Sequence, residues 1–207
     1  MAALLQLSRA IDAVNERIGK IVAWAIVAAI LVSAVNAIIR RIFGVSSNAW
    51  LELQWYLFGA VFMLCAAWTL KANEHIRIDI VSNKLSKRGR DWIDILGHIF
   101  FLFPFLALML YLSVPYFERS YVSGEVSSNA GGLLIWPAKG LILLGFISLF
   151  FQWASELIKR IAIMQGKLVD EHHATGHSPE VEAERLLKEM ADPRHPDGGE
   201  PPGDGVR

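Results

Sequence analysis

Residues 50–92 read WLELQWYLFGAVFMLCAAWTLKANEHIRIDIVSNKLSKRGRDW. The first half is nearly unbroken apolar sequence, with its strongly polar members, Glu52 and Gln54, close to one end. A helix of about 21 such residues, rising 1.5 Å per residue, crosses a hydrocarbon core of roughly 30 Å. The second half changes character, and Lys71, Arg77, Lys84, Lys87, Arg88 and Arg90 crowd a polar connector before apolar sequence resumes. A spanning helix followed by a basic connector sets an orientation, because short loops rich in Lys and Arg are held on the cytoplasmic side.

Composition points the same way. Of 207 residues, 54% are hydrophobic, and the charges lie between a few apolar runs instead of within them. That distribution predicts an all-α, polytopic membrane protein with four transmembrane helices at about 18–39, 50–70, 92–117 and 135–158. The formal net charge is zero, and no nucleic-acid partner is expected. A single cysteine, Cys65, excludes an intramolecular disulfide and a paired-cysteine redox or zinc site.

Ahead of the first span, residues 1–17 carry Leu4, Leu7, Ile11 and Val14 at helical spacing, with Ile18 continuing the series. This is the pattern of an amphipathic helix, lying on the membrane surface or against a partner helix. Between spans two and three, His75, Arg77 and Asp79 alternate with Ile76, Ile78 and Ile80, which predicts a short interfacial segment. Span three contains Pro104, expected to kink it, with Asp94 and His98 one turn apart near one end. The loop 118–134 is rich in Gly and Ser, and Pro137 suits the first turn of span four. Span four closes with Glu156 facing Lys159 and Arg160. Residues 18–166 thus form a four-span domain, and 167–207, dominated by Pro, Gly, Asp, Glu and His, are expected to be a disordered cytoplasmic tail.

Basic residues then orient the whole. Arg9, Arg17, Lys20, the six of the connector, Lys159, Arg160 and Lys167 fall on one side, against Arg40, Arg41, Arg119 and Lys139 on the other. Both termini are expected inside.

Chemistry is sparse. The tail histidines lack an ordered scaffold for a metal, and of the remaining histidines only His98 lies within a span, where a membrane cytochrome needs facing axial pairs. No catalytic constellation or cofactor site stands out, so an enzyme is not expected. Near the outward end, Arg40 and Glu52 lie on adjacent spans. Ionisable groups in a span tend to pair. An Arg40–Glu52 ion pair is the leading expectation, ahead of independent snorkelling or a coupling-ion or substrate site.

Taken together, Arg40 closing span one, Trp50-Leu-Glu52 opening span two, Asn73-Glu74-His75-Ile-Arg77-Ile-Asp79 before a basic connector, and Pro137-Ala-Lys139 followed by Gly145 and Gln152 carry a resemblance. Over roughly residues 10–165 the chain resembles the small membrane subunit of tripartite ATP-independent periplasmic (TRAP) transporters. The resemblance implies a bacterial inner-membrane scaffold that embraces a large permease subunit. That subunit would import a small organic-acid-like solute, delivered by a periplasmic substrate-binding protein and driven by an ion gradient. It implies no catalytic residue and no cofactor. Arg40, Trp50, Glu52, His75, Arg77, Asp79 and Lys139 become candidates for structural or interface roles, beside contacts with membrane lipids. The competing class is a membrane-anchor or haem-binding redox subunit of a membrane enzyme.

Overall fold

A computed structural model of the chain describes residues 2–45, 47–72 and 87–166. The interfacial segment with His75, Arg77 and Asp79, most of the basic connector and the tail from 167 lie outside them. Among the described residues the protein is helical: α1 (Ala2–Ala23), α2 (Ala25–Phe43), α3 (Asn48–Ala72), α4 (Lys87–Gly97), a π turn (His98–Leu102), α5 (Phe103–Ser123) and α6 (Trp136–Met164). Four continuous stretches, Ala3–Phe43, Asn48–Ala72, Trp92–Ser123 and Trp136–Met164, are long and apolar enough to cross a membrane. The expected four-span, all-α architecture is therefore present.

The first stretch is longer than one span requires. Its 41 residues would extend about 60 Å, twice a hydrocarbon core. α1 and α2 meet at Trp24, whose N–H bonds the carbonyl of Ile21 at 3.2 Å in a single tighter turn. The amphipathic segment is thus continuous with the span. Its polarity runs inward: Ser8 and Asn15 are buried, whereas Leu4, Leu7 and Val14 are about half exposed. The cause lies in the helix it meets. The facing side of α6 carries Ser148, Gln152, Ser155 and Lys159, so hydrogen-bonding side chains on α1 turn toward them and its leucines turn outward.

α6 is the spine, packing against α1, α3, α4 and α5, while α3 also carries α1 and α2. Two glycines permit the closest approaches. A Cβ on Gly145 of α6 would stand 2.8 Å from the Met63 Cβ and 2.9 Å from its carbonyl oxygen. A Cβ on Gly19 would stand 2.7 Å from the Trp68 ring. Small residues at such crossings let backbones meet where lipid offers no hydrophobic drive.

The third span is interrupted by a π turn. Pro104 sits in the first turn of α5, directly after the π turn, where the Phe103 N–H reaches back to the carbonyl of His98. That carbonyl also accepts the Trp153 indole N–H at 2.9 Å, tying the π turn to α6. Trp153 in turn stacks on Phe103, with ring centroids 4.9 Å apart.

Candidate functional site

Polar side chains gather at the two ends of the bundle, each cluster built by residues far apart in sequence. At the end where α5 and α6 are joined by a loop, that loop folds onto α3. The Ser127 N–H donates to the Leu133 carbonyl at 2.9 Å and the Ile135 N–H to the Glu125 carbonyl at 2.9 Å, so residues 125–135 form a small hairpin. Its concave side holds Glu52, which is only 4% exposed. The Ser127 hydroxyl donates to Glu52 Oε1, the Asn129 side-chain amide donates to the same oxygen at 2.8 Å, and the Leu133 N–H donates to Oε2 at 2.6 Å. Charge-assisted bonds of this kind are about twice as strong as neutral ones.

Two further bonds pin the hairpin. Asn48 donates to the Ala130 carbonyl at 3.0 Å, and the Tyr56 hydroxyl donates to the Leu134 carbonyl at 3.0 Å. Gly131 takes φ +69° to make the turn. Gly132 passes so close that a Cβ there would lie 2.6 Å from the Ser127 Cβ and 2.8 Å from Glu52 Oε1. Beside the hairpin, Lys139 pairs with Glu125 and sits 4.2 Å over the Tyr116 ring. The adjacent ammonium holds the Glu125 carboxyl below the usual glutamate range.

The Arg40–Glu52 pair expected from the sequence is not formed. Arg40 is exposed at the end of α2 and makes no ion pair among the described residues. Three neutral donors on the 125–135 hairpin satisfy the carboxylate instead. Trp50, two residues and so about 200° around α3 from Glu52, is 41% exposed.

The opposite end is a polar stripe between α1 and α6. The Ser8 and Ser155 hydroxyls are 2.7 Å apart, and Asn15 donates to Gln152 Oε1 at 2.8 Å while accepting from the Ser148 hydroxyl at 2.9 Å. Gln152 donates to both Asp12 at 2.8 Å and Glu156 at 3.0 Å. Lys159 bridges the same two carboxylates, standing 3.0 Å from Asp12 Oδ2. Glu16 extends the stripe to α3 through Lys71 at 2.6 Å and to its own turn through Lys20. Acids and ammonium groups thus balance. Glu156 meets Lys159 as expected, but Arg160 turns to α4 and pairs with Asp94 at 3.2 Å.

Sequence reasoning missed the partners at both ends. Ser127, Asn129 and Gly132 looked like generic loop residues, although a lone acid in an apolar helix demands donors. Asp12 and Asn15 were not singled out, although Ser148, Gln152, Ser155 and Lys159 repeat at helical spacing in α6.

What the arrangement does chemically is fasten helices: Glu52 ties α3 to the 125–135 hairpin, Lys71 ties α3 to α1, Lys159 ties α6 to α1, and Arg160 ties α6 to α4. Among curated proteins, none matches the chain. The family described as tripartite ATP-independent periplasmic transporters, DctQ component, matches residues 29–162. That match takes in Arg40, Glu52, Gly145 and Gln152 and extends over well more than half of the sequence, so the chain belongs to this family, the small membrane component of TRAP transporters.

Proposed function

We propose that the protein is the fixed scaffold subunit of an ion-gradient-driven uptake system in a bacterial inner membrane. It would support a large permease subunit that imports a small organic-acid-like solute delivered by a periplasmic binding protein. Both termini would face the cytoplasm, placing the Glu52 hairpin outside and the Asp12–Lys159 stripe inside, in keeping with the distribution of Lys and Arg.

One observation carries this reading. Within the spans, ionisable groups occur near the two ends and are largely committed to partners in the same chain. Between Lys20 and Arg40, Glu52 and Lys71, His98 and Glu118, and Lys139 and Glu156 the sequence has no Asp, Glu, Lys, Arg or His. Transporter sites place polar groups on interrupted helices near the bilayer midplane. A chain whose charges fasten its own ends suits support better than solute chemistry, and leaves that chemistry to a partner.

The test is a tagged full-length chain purified from its own membranes. A large multispan permease should accompany it, and membrane vesicles holding both should take up a labelled dicarboxylate or sugar acid in the presence of the binding protein. Ionophores that collapse the ion gradients should abolish uptake, while ATP depletion at a clamped gradient should not. A haem absorption band in a purified complex without a permease would overturn the reading.

A further inference from the structure

A groove of about 560 Å³ opens between α5 and α6 at the hairpin end, and it plays no part in holding Glu52. Its walls are apolar, formed by Met109 and Leu112 on α5 and Ile142 on α6, while Tyr116, Arg119 and Lys139 stand at its polar end. Arg119 lies one turn before the end of α5 and Lys139 lies in the first turn of α6. The two cations therefore share a level where antiparallel helices meet the loop. Met109 is ten residues before Arg119 in the same helix. The apolar floor thus runs about 15 Å from the cations toward the middle of the bundle.

The cations are engaged unequally. Lys139, with its side chain 11% exposed, is fixed by Glu125 and by the face of Tyr116. Arg119 is exposed and has no ion-pair or hydrogen-bond partner among the described residues. Glu118 beside it projects about 100° around the helix and does not line the groove. The local balance at the mouth is one positive charge in excess, carried by a guanidinium whose fork of N–H groups fits a phosphate.

We propose that this groove binds one anionic phospholipid, its phosphate against Arg119 and Lys139 and an acyl chain along Met109, Leu112 and Ile142. A soluble anion would use the cations but leave the apolar floor unexplained. An apolar helix of a neighbouring subunit would cover the floor but press Arg119 against hydrocarbon, which is costly for a charged group. A phospholipid satisfies both halves.

The experiment uses the full-length chain, purified from membranes with the subunits that accompany it and exchanged into nanodiscs of phosphatidylethanolamine doped with phosphatidylglycerol. Native mass spectrometry after release counts the lipids retained. One phosphatidylglycerol should persist in preference to phosphatidylethanolamine. Arg119→Gln should lower its retention about fivefold, the effect of one cation near a headgroup. Arg41→Gln, an exposed cation at the end of α2, should leave retention unchanged. A photoreactive benzoylphenylalanine at position 112 should give an adduct of lipid mass. Equal retention of the two lipids, or equal loss from the two arginine variants, overturns the site. A protein adduct at position 112 in place of lipid also overturns it and assigns the groove to a neighbouring helix.

Discussion

The Leu133 N–H donates to Glu52 Oε2 at 2.6 Å, joining a carboxylate in the first turns of α3 to a backbone amide 81 residues further along the chain. A residue that looks like half of an ion pair is instead the post around which the 125–135 hairpin closes. This changes what substitution should do. Glu52→Gln keeps the volume but turns an amide N–H₂ toward groups that are themselves donors, and should cost about 1–3 kcal/mol. Arg40→Gln should stay within about 0.5 kcal/mol of the parent. Exchanging the charges, Arg40→Glu with Glu52→Arg, should rescue nothing. Melting of the purified chain, with protease nicking at residues 124–135, measures both. Recovery in the double exchange would restore the ion pair and dismiss the hairpin's role.

Gly145 tests the contact between the two central helices. An alanine there must displace the Met63 backbone, because its carbonyl oxygen would lie 2.9 Å from the new carbon. Overpacking of this kind costs about 1–3 kcal/mol. Gly59 on α3 is the control, since nothing lies within 4 Å of the carbon it would gain. Gly59→Ala should be neutral or stabilise slightly, as alanine favours the helix by about 1 kcal/mol. The readout is the difference in melting temperature between the two variants, with Gly145→Ala lower. Equal temperatures would show that α3 and α6 slide apart at little cost.

The spans were legible because hydrophobic runs of sufficient length have few alternative structures, and the first turn of α6 was legible from Pro137. The orientation of α1 was not. Its leucine spacing is the same whether the stripe faces a protein core or lipid, and only the polar side of α6 decides which. Glu52 was singled out as an acid near a span end that needs a partner, and the partner expected was Arg40, whereas its bonds go to the 125–135 hairpin. Ion pairing is visible as two charged letters, whereas backbone N–H groups, which supply one of the three bonds, have no letter at all. The π turn escaped for a related reason, since Pro104 signals a lost hydrogen bond without saying which backbone shift absorbs it.

Acid should loosen the hairpin end through Glu125. The neighbouring Lys139 holds the carboxyl below its ordinary 4.5, so the folded state binds the proton more weakly than the unfolded chain does. The pair's contribution is present above pH 4.5 and is lost as pH falls through the lower folded value. Melting followed from pH 6 down to pH 3.5 should show a decline that Glu125→Gln makes shallower. A variant with the parent's full acid slope would place the sensitivity elsewhere.

Orientation is open to a direct labelling test. In a Cys65→Ala background, Ser123→Cys at the end of α5 should react with an impermeant thiol reagent on intact spheroplasts. Gln165→Cys, exposed just beyond α6, should react after the membrane is opened. The reverse order would turn the protein over and move the Glu52 hairpin to the cytoplasm.

Lys159 is the most consequential side chain of the stripe between α1 and α6, because it serves two acids at once. Its ammonium lies 3.0 Å from Asp12 Oδ2 and also binds Glu156, and those carboxylates share the Gln152 amide. Lys159→Met fills the space but leaves two mostly buried acids facing each other, and breaking a buried pair costs about 3–5 kcal/mol. Asp12→Asn should cost less, about 1 kcal/mol, since the new amide oxygen still accepts from Ser155 and Gln152 and Lys159 keeps Glu156. The order of the two effects separates a charge lock from a row of independent hydrogen bonds. A second readout reports where α1 sits. The Ser8 and Ser155 hydroxyls are 2.7 Å apart, so cysteines at both positions in a Cys65→Ala chain should form a disulfide on mild oxidation. Adding Lys159→Met should reduce that crosslink sharply, and adding Asp12→Asn should leave most of it. Equal destabilisation and equal crosslinking in the two variants would mean that α1 is held by its hydroxyls and amides, and that Lys159 does not lock it.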